Sequence, residues 1–350
     1  MGGALHRLPA RDGTRGPLTE AATTAGLVGL DDVRRAASLL RGIATQTPLV
    51  LFGPPADQRF LKAESLQPIG AFKIRGAYVA IASLTEAERR RGVITYSSGN
   101  HAQGVARAAR LLGAPAVIVM PTDAPAIKAA RVAADGAEIV WVGPSSDERR
   151  QVAEERAARD GLAIIPPFDD DRVIAGQGTV GLEIVEALPD LAAVVVPIGG
   201  GGLASGVAVA VRALAPKARI VGVEPELAAD ARDSLAAGHI VAWPAEKVGR
   251  TISDGTRTTA LGARTFAHLS VLLDAIVTVT EEEIAAGVRL AAEESRLVAE
   301  PSGALAVAVL RFRSHEAGLD GLGGPVVGIV SGGNVDPDRY REYLAAPIPG

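Results

Sequence analysis

Short apolar runs rich in Val and Ile alternate with helical patterns along most of the 350-residue chain. The runs predict six buried strands, at residues 92–96, 116–120, 138–142, 194–198, 220–224 and 326–330. The patterns between and beyond them predict helices at residues 74–82, 103–112, 125–135, 146–160, 178–187, 203–215, 281–294 and 303–311. Short buried strands that alternate with helices are typical of parallel sheets covered on both faces, so we expect an α/β fold with right-handed crossovers.

The grouping of the strands indicates two sheets rather than one. The strands within residues 92–168 are expected to form a small α/β domain, inserted in a larger domain made of residues 26–91 and 169–350. Residues 1–25 mix Arg, Asp, Glu, Gly and Pro and lack the apolar segment of a signal peptide, so we expect a flexible leader. Because ligands of α/β proteins bind at the carboxyl ends of parallel strands, the site is expected between the two domains.

One stretch is long enough and free enough of charge to resemble a membrane span. Residues 192–211 include no charged side chain over 20 positions. Pro197 and the four glycines that follow Ile198 would break a helix there, and the flanking pieces read as a short strand and an Ala/Val helix. We therefore expect a cytoplasmic protein without a membrane partner.

Composition excludes several chemistries. The chain has no cysteine, so a disulfide framework, a thiolate nucleophile and a Cys-based metal or iron–sulfur site are excluded. Its five histidines lie far apart and form no metal-binding pair. The two Trp, four Tyr and six Phe provide little material for stacking nucleic-acid bases, and the net charge of −4 argues further against a nucleic-acid partner.

Two polar loops follow predicted strands, at the edge where ligands bind. The first, Ser97-Ser98-Gly99-Asn100-His101, places hydroxyls and an amide at the start of a helix, where backbone N–H groups favour a carboxylate or a phosphate. A polar turn that only caps the helix is the alternative. The second, Ser331-Gly332-Gly333-Asn334, can offer a hydroxyl to the same crevice.

A third loop consists of Gly199, Gly200, Gly201 and Gly202, between a predicted strand and a predicted helix. Four consecutive glycines have a high conformational-entropy cost, which is tolerable where the backbone must approach a ligand closely or adopt positive φ. Their N–H groups, at the positive end of the following helix, favour a bound phosphate.

Lys73 stands at the predicted start of a helix, beside Phe72 and among small residues. A lysine that is removed from water has a lowered pKa and becomes an amine nucleophile able to form a Schiff base. A surface lysine whose stem packs on apolar groups is the alternative. The pairing of Lys73 with a phosphate-binding loop favours the catalytic interpretation.

The glycine run also admits a different interpretation. Gly199, Gly201 and Ala204 fit the dinucleotide-binding fingerprint GxGxxA, with Glu224 at the end of the next strand as the residue for a ribose hydroxyl. This pattern would make the protein a nicotinamide-dependent dehydrogenase. The fingerprint usually opens the first βαβ unit of a chain, whereas here it lies past the middle, and it leaves Lys73 without a role.

Taken together, the segments occur in an order that resembles a known enzyme family. They are LQPIGAFKIRGA, SSGNHAQG, VIAGQGT, VPIGGGGLASG, EPELAAD, TISDGT, EPSGA and IVSGGN. In this order they resemble the fold-type II pyridoxal phosphate enzymes of the serine/threonine dehydratase and serine racemase family. The resemblance implies a tryptophan synthase β-like fold, pyridoxal phosphate as cofactor, an amino acid as substrate and a homodimer.

The resemblance also implies roles for the cofactor-binding residues. Lys73 would hold pyridoxal phosphate covalently and Phe72 would pack against its ring, as the one aromatic residue that we expect to touch the site. Asn100 would bond the phenolic oxygen, and Gly199–Gly202 would hold the phosphate. Ser331 would face the pyridine nitrogen, where other folds of pyridoxal phosphate enzymes place a carboxylate. A hydroxyl there makes the ring a weaker electron sink, which suits prompt loss of a β-leaving group.

The implied activity is that of an L-threonine/L-serine ammonia-lyase, which eliminates the β-hydroxyl to give a 2-oxo acid and ammonia. Lys73 would take the α-proton as general base. Ser98 would be the second acid/base of racemases, so racemisation stays open as an activity. A preference for 3-hydroxyaspartate as substrate also stays open. A third alternative is a non-catalytic relative that keeps the fold. The residues implied to bind the substrate carboxylate are Ser97, Ser98, Gly99, Asn100 and His101.

A divalent-cation site is the last implied feature. Within the segment EPELAAD, Glu224 and Asp230 would contribute carboxylates and Ala228 a backbone carbonyl. A set made only of oxygen ligands suits Mg²⁺ or Ca²⁺. An exposed acidic turn is the alternative.

Overall fold

A computed structural model describes residues 26–97, 99–124, 126–143 and 146–350; the predicted leader and Ser98 lie outside the described residues. The strands are β1 Leu49–Leu51, β2 Arg59–Ala63, β3 Val93–Tyr96, β4 Ala116–Pro121, β5 Glu138–Val142, β6 Ala163–Ile164, β7 Ala193–Pro197, β8 Arg219–Pro225, β9 Ala275–Val279 and β10 Val326–Val330. The helices are α1 Leu30–Leu39, α2 Lys73–Ala82, α3 Glu86–Arg91, α4 Asn100–Leu111, α5 Ala126–Ala134, α6 Ser146–Asp160, α7 Asp171–Ala187, α8 Gly202–Leu214, α9 Asp230–Ala237, α10 Ala245–Val248, α11 Ala263–Leu272, α12 Glu281–Ser295, α13 Pro301–Phe312 and α14 Pro337–Leu344.

The strands form two sheets. The six-stranded sheet has the order β1-β2-β10-β7-β8-β9, in which β1 and β2 are antiparallel and every other pair is parallel. The four-stranded sheet has the order β5-β4-β3-β6 and is entirely parallel. The predicted α/β class with parallel sheets is therefore confirmed.

Strand β7 shows why the central strands are apolar at every position. Val194 and Val196 belong to a hydrophobic cluster shared with α7 and α8, whereas Ala193 and Val195 belong to a second cluster shared with α12 and α13. Successive side chains of a strand point to opposite faces, so helices cover both faces of this strand.

The six predicted strands are all present, with bounds that differ by at most one residue at each end. Strands β1, β2, β6 and β9 and helices α1, α3, α9, α10, α11 and α14 were not predicted. Two helices begin three or more residues earlier than predicted. Helix α4 begins at Asn100 rather than 103, so part of the first polar loop is its first turn. Helix α7 begins at Asp171 rather than 178, where the Asp170 carboxylate accepts from the amides of Arg172 and Val173.

The four-stranded sheet is made of residues between 93 and 164, and the six-stranded sheet takes strands from both sides of that segment. The domain bounds themselves stay a prediction.

Residues 192–211 form the end of one loop, strand β7, the glycine run and most of α8. Among the described residues, no helix combines the length and apolar character needed to cross a bilayer.

Candidate active site

Lys73 is the first residue of α2, and it is half-buried. Its Nζ donates a hydrogen bond to the carbonyl oxygen of Pro167 at 2.7 Å and lies 5.2 Å from the centre of the Phe72 ring. Burial disfavours the charged form and lowers the pKa of Lys73 to about 8. More of this lysine than of an exposed one is therefore free amine at neutral pH, which favours nucleophilic and basic chemistry.

Main-chain hydrogen bonds hold the Ser331 loop beside the start of α2. The amide of Phe72 donates to the carbonyl of Ser331 at 3.1 Å, and the amide of Gly333 donates to the carbonyl of Gly70 at 2.9 Å. Ser331 is buried directly after β10, and its hydroxyl donates to the carbonyl of Ser302 at 3.3 Å. The hydroxyl that the sequence singled out thus lies at the same end of α2 as the candidate lysine.

The glycine run lies between β7 and α8, and an aromatic ring covers it. A Cβ atom added to Gly200 would lie 2.2 Å from the ring of Phe168, so only a hydrogen fits between them. Gly201 has φ of 91°, in the left-handed region that favours glycine. Among the described residues, the amides of Gly199–Gly202 have no hydrogen-bond acceptor. Unpaired amides at the start of a helix suit an anion.

Residues 167 and 168 connect the lysine with the glycine run. The carbonyl of Pro167 accepts from Lys73, and the next residue, Phe168, packs on Gly200. Phe168 is thus a second aromatic residue beside the candidate site, in addition to Phe72, whose role stays a prediction. No local pattern in the sequence singles out Phe168, because its contact is with a loop that follows a later strand.

A 3-10 turn, Asp254–Thr256, connects the glycine run with the start of α13. A Cβ atom on Gly199 would lie 3.1 Å from the carbonyl oxygen of Gly255. The amide of Gly255 in turn donates to the hydroxyl of Ser302 at 2.8 Å. The carbonyl of Ser302 also accepts from the hydroxyl of Ser331. Ser302 therefore bonds both the turn beside the glycine run and the Ser331 loop.

Asn100 is the first residue of α4, and this helix packs closely on the start of α2. The close packing is shown at Gly104, where an added Cβ atom would lie 3.1 Å from the carbonyl oxygen of Lys73. The Nδ2 of Asn100 donates to Oε1 of Glu300 at 2.6 Å, and its Oδ1 accepts from Nδ2 of Asn334 at 2.8 Å. Glu300 stands in the segment EPSGA, but the sequence analysis assigns it no individual role.

Two other members of the first polar loop are already engaged. His101 is buried, with Nε2 2.9 Å from the carbonyl oxygen of Ile165. Burial and then the charge of Lys73 lower the pKa of His101 to about 3, so its ring is neutral. The hydroxyl of Ser97 accepts from the amide of Gly99 at 3.2 Å. Nε2 of His101 is thus engaged, whereas its buried Nδ1 has no hydrogen-bond partner among the described residues.

The acidic segment brings Glu224 and Asp230 together at the start of α9. Glu224 accepts from the amides of Ala231 and Arg232 at 3.0 and 2.8 Å. Burial raises the pKa of both carboxyl groups, that of Asp230 to about 7, and the charge of Asp230 raises the pKa of Glu224 further. The Oδ2 atom of Asp230 is buried without a hydrogen-bond partner among the described residues.

This arrangement would hold a cation only if main-chain oxygens joined the two carboxylates as ligands. Two carboxylates that repel each other, one with a partnerless oxygen, would both be stabilised by a bound positive charge. The described residues hold no group of three or more acidic or histidine side chains placed to bind a metal ion. A cation here would therefore need backbone oxygens as well, such as the carbonyl proposed for the buried Ala228.

Comparison with known proteins identifies the family. The model of the pyridoxal-phosphate dependent enzyme family matches residues 40–332, and the chain belongs to this family. It is 41% identical over 324 residues to L-threo-3-hydroxyaspartate ammonia-lyase of Saccharomyces cerevisiae, covering 91% of this chain and 97% of the relative. It is 42% identical to L-threonine ammonia-lyase of Thermotoga maritima, covering 91% and 78%. The structure of maize serine racemase superimposes with a TM-score of 0.85 at 36% identity, covering 91% and 97%.

The family resolves the two interpretations of the glycine run. Pyridoxal phosphate carries a phosphate and an aldehyde, and the described residues offer unpaired amides for the first and the amine of Lys73 for the second. The site therefore fits the cofactor of the family.

Proposed function

We propose that this protein is a pyridoxal phosphate-dependent ammonia-lyase that acts on L-threonine and L-serine. The observation that carries the proposal is the half-buried amine of Lys73, with its lowered pKa, bonded to the carbonyl of Pro167 beside the ring that covers the glycine run. Relatives that are 41 and 42% identical over most of the chain are named ammonia-lyases of hydroxy amino acids, which supports this class of reaction.

The cofactor would be held by residues from four elements. Lys73 would bind it covalently, and Gly199–Gly202 would bind its phosphate through backbone amides. Asn100 would donate to its phenolic oxygen, and the hydroxyl of Ser331 would face its ring nitrogen. Phe72 would pack against the ring, as its position beside Lys73 permits.

When bound, pyridoxal phosphate supplies an electron sink for the bond broken at the α-carbon. Lys73 would take the α-proton, because its pKa of about 8 leaves a useful fraction of free amine at neutral pH. The backbone and hydroxyl groups of residues 97–101, at the start of α4, would bind the substrate carboxylate, since a helix start favours a negative charge. His101 would contribute its main-chain amide, while Nε2 of its ring stays bonded to the carbonyl of Ile165.

A small substrate panel tests the proposed reaction. Purified holoenzyme should release ammonia and a 2-oxo acid from L-threonine and L-serine, and 3-hydroxyaspartate should be included because a relative carries that name. Release from 3-hydroxyaspartate alone would assign a different substrate. No release from any β-hydroxy amino acid would contradict the proposal.

Racemisation is the second candidate activity, favoured by the similarity to maize serine racemase. A racemase needs a second acid/base on the other face of the α-carbon, and Ser98 is the residue we propose for it. Replacing Ser98 by alanine is expected to slow exchange of L- and D-serine by about 100-fold or more, while ammonia release from L-serine persists. Exchange and release are measured on the same preparation, and undiminished exchange in S98A would exclude this role.

We also propose a divalent cation at Glu224, Asp230 and the carbonyl of Ala228. Raised carboxyl pKa values mean that folding favours the protonated forms, so without a cation stability should fall as pH rises from about 4 through about 7. Added Mg²⁺ should therefore raise the melting temperature more at pH 8 than at pH 6, and a chelator should lower it.

Two variants separate this site from general effects of salt. Asp230→Asn removes a ligand and the repulsion together, so its melting temperature should no longer respond to Mg²⁺. Glu226→Gln changes an exposed carboxylate in the same segment and should keep the full response. A wild-type protein whose melting temperature ignores both chelator and Mg²⁺ at pH 8 would contradict the proposed site.

Assembly and location complete the proposal. We propose a cytoplasmic homodimer, on the resemblance to the family alone. Sedimentation velocity of the holoenzyme gives the mass of the assembly directly, and a species of one chain at micromolar concentration would contradict the dimer.

A further inference from the structure

We propose that Glu300 is a positioning residue for the cofactor, which fixes the side-chain amide of Asn100 in the orientation that donates to the phenolic oxygen. The inference rests on the proposed function, because it takes the role of Asn100 from there. It adds a residue whose effect passes through another side chain and not through direct contact with the cofactor.

The geometry holds the Asn100 amide from both ends. Oε1 of Glu300 accepts from Nδ2 at 2.6 Å, while Nδ2 of Asn334 donates to Oδ1 at 2.8 Å and also to the carbonyl of Ile69 at 2.8 Å. A rotated amide would place its oxygen against the Glu300 carboxylate and its nitrogen against the nitrogen of Asn334, with both hydrogen bonds lost. One proton of Nδ2 is used by Glu300, and the second is left for a ligand.

Glu300 is itself held firmly. Its side chain is buried, its amide donates to the carbonyl of Gly332 at 3.0 Å, and it directly precedes α13. A Cβ atom on Gly332 would lie 2.2 Å from Oε1 of Glu300 and 3.1 Å from Nδ2 of Asn100, so the loop after β10 closes over this pair. Burial of a carboxylate is costly unless hydrogen bonds compensate for it, and the bond from Nδ2 of Asn100 is one that does.

The charges around Glu300 make its protonation sensitive to pH. Burial and the negative charge of Asp254 raise the pKa of Glu300 to about 7, against the lowering effect of Lys128. Lys128, on α5, bonds Asp254 at 2.6 Å, and Asn100 and the backbone of Asn334 also act to lower the pKa. Near neutral pH the carboxylate becomes a carboxyl group, which can donate as well as accept, so the constraint on Asn100 weakens as pH falls.

The first test measures cofactor binding rather than turnover. Each protein is stripped of cofactor and titrated with pyridoxal phosphate, with the near-visible absorbance as signal. Glu300→Ala frees the Asn100 amide and should weaken binding about tenfold, the loss of one hydrogen bond to the cofactor. Glu300→Gln keeps an acceptor of the same shape but can also present its NH2 group, much as the protonated carboxyl group does, so its affinity should lie between those of wild type and Glu300→Ala. Wild-type affinity in both variants would overturn the inference.

The second test follows the absorbance of each holoenzyme with pH. The wild-type band should show a transition near pH 7, Glu300→Gln should lack it, and Asp254→Asn should move it to lower pH by removing a charge that raises the pKa of Glu300. A transition that is the same in all three proteins would overturn the inference even if Glu300→Ala fails to fold. If wild-type protein binds no pyridoxal phosphate, the proposed function itself has failed, which is a distinct result.

Discussion

Replacing Lys73 by alanine is expected to lower kcat/KM for L-threonine about 1000-fold or more. The residue is proposed both to hold the cofactor and to take the α-proton, and general bases alone contribute about 100-fold to 10,000-fold. The neighbouring side chain of His101 is a poor substitute, because its pKa is lowered to about 3 and its ring is therefore a weak base. Steady-state release of the 2-oxo acid measures the loss.

Lys217→Ala is the matched control for this variant. Lys217 is an exposed lysine between α8 and β8 that is not a candidate site residue, so the activity of this variant should equal that of wild type. The absorbance band of bound cofactor should vanish in Lys73→Ala and persist in Lys217→Ala. If Lys73→Ala retains activity within about tenfold of wild type, another residue is the base and the assignment of Lys73 is wrong.

Replacing Arg75 by methionine is expected to reduce the free energy of unfolding by about 3–5 kcal/mol at pH 7. Arg75 lies two residues after Lys73 and is 1% exposed, with its guanidinium bonded to both oxygens of the fully buried Glu64 at 2.8 Å. It also donates to Glu183 at 2.6 Å. Methionine fills much of the volume but leaves the charge of Glu64 buried without its cation, which explains the size of the loss.

The pH dependence of this loss has a definite sign. Burial acts to raise the pKa of Glu64, but the charge and hydrogen bonds of Arg75 outweigh it and the pKa lies below its usual value. In wild type, Glu64 therefore contributes stability that is present above about pH 4.5 and is lost as pH falls below it. In Arg75→Met the carboxyl group is unpaired and its pKa is raised, so the penalty should shrink as pH falls and the group is protonated.

Two further variants test this explanation by chemical denaturation. The double variant Glu64→Gln, Arg75→Met removes the buried charge and should recover part of the loss. Arg34→Met breaks an exposed ion pair with Asp31 and should cost only about 0.5 kcal/mol. A loss below about 1 kcal/mol in Arg75→Met would contradict the view that this buried pair stabilises the start of α2.

The strands buried on both faces could be predicted from the sequence, because every residue of a strand such as β7 is apolar. Strand β2 could not, since it contains Arg59 and Lys62. Lys62 is buried there and its ammonium group bonds the carbonyl of Thr47 and the carboxylate of Glu183, both at 2.6 Å. Strand β9 has the apolar pattern of β7, and nothing in its composition explains why it was not predicted.

The candidate site was predictable where the signal is local. A glycine run before a helix and a serine after a strand each indicate a function from a few neighbouring residues. The partners of Asn100 are different, because Glu300 and Asn334 lie 200 and 234 residues away in the chain. Contacts over such separations depend on how the two sheets and their loops come together, which local patterns do not specify.

Chemical trapping at Lys73 tests the central claim most directly. Holoenzyme is reduced with borohydride, digested and examined by mass spectrometry for a peptide that carries the reduced cofactor. We predict a near-visible absorbance that disappears on reduction, and one labelled peptide in which the modified residue is Lys73. A colourless protein that stays unlabelled after incubation with pyridoxal phosphate, or a label on any other lysine, would contradict the account.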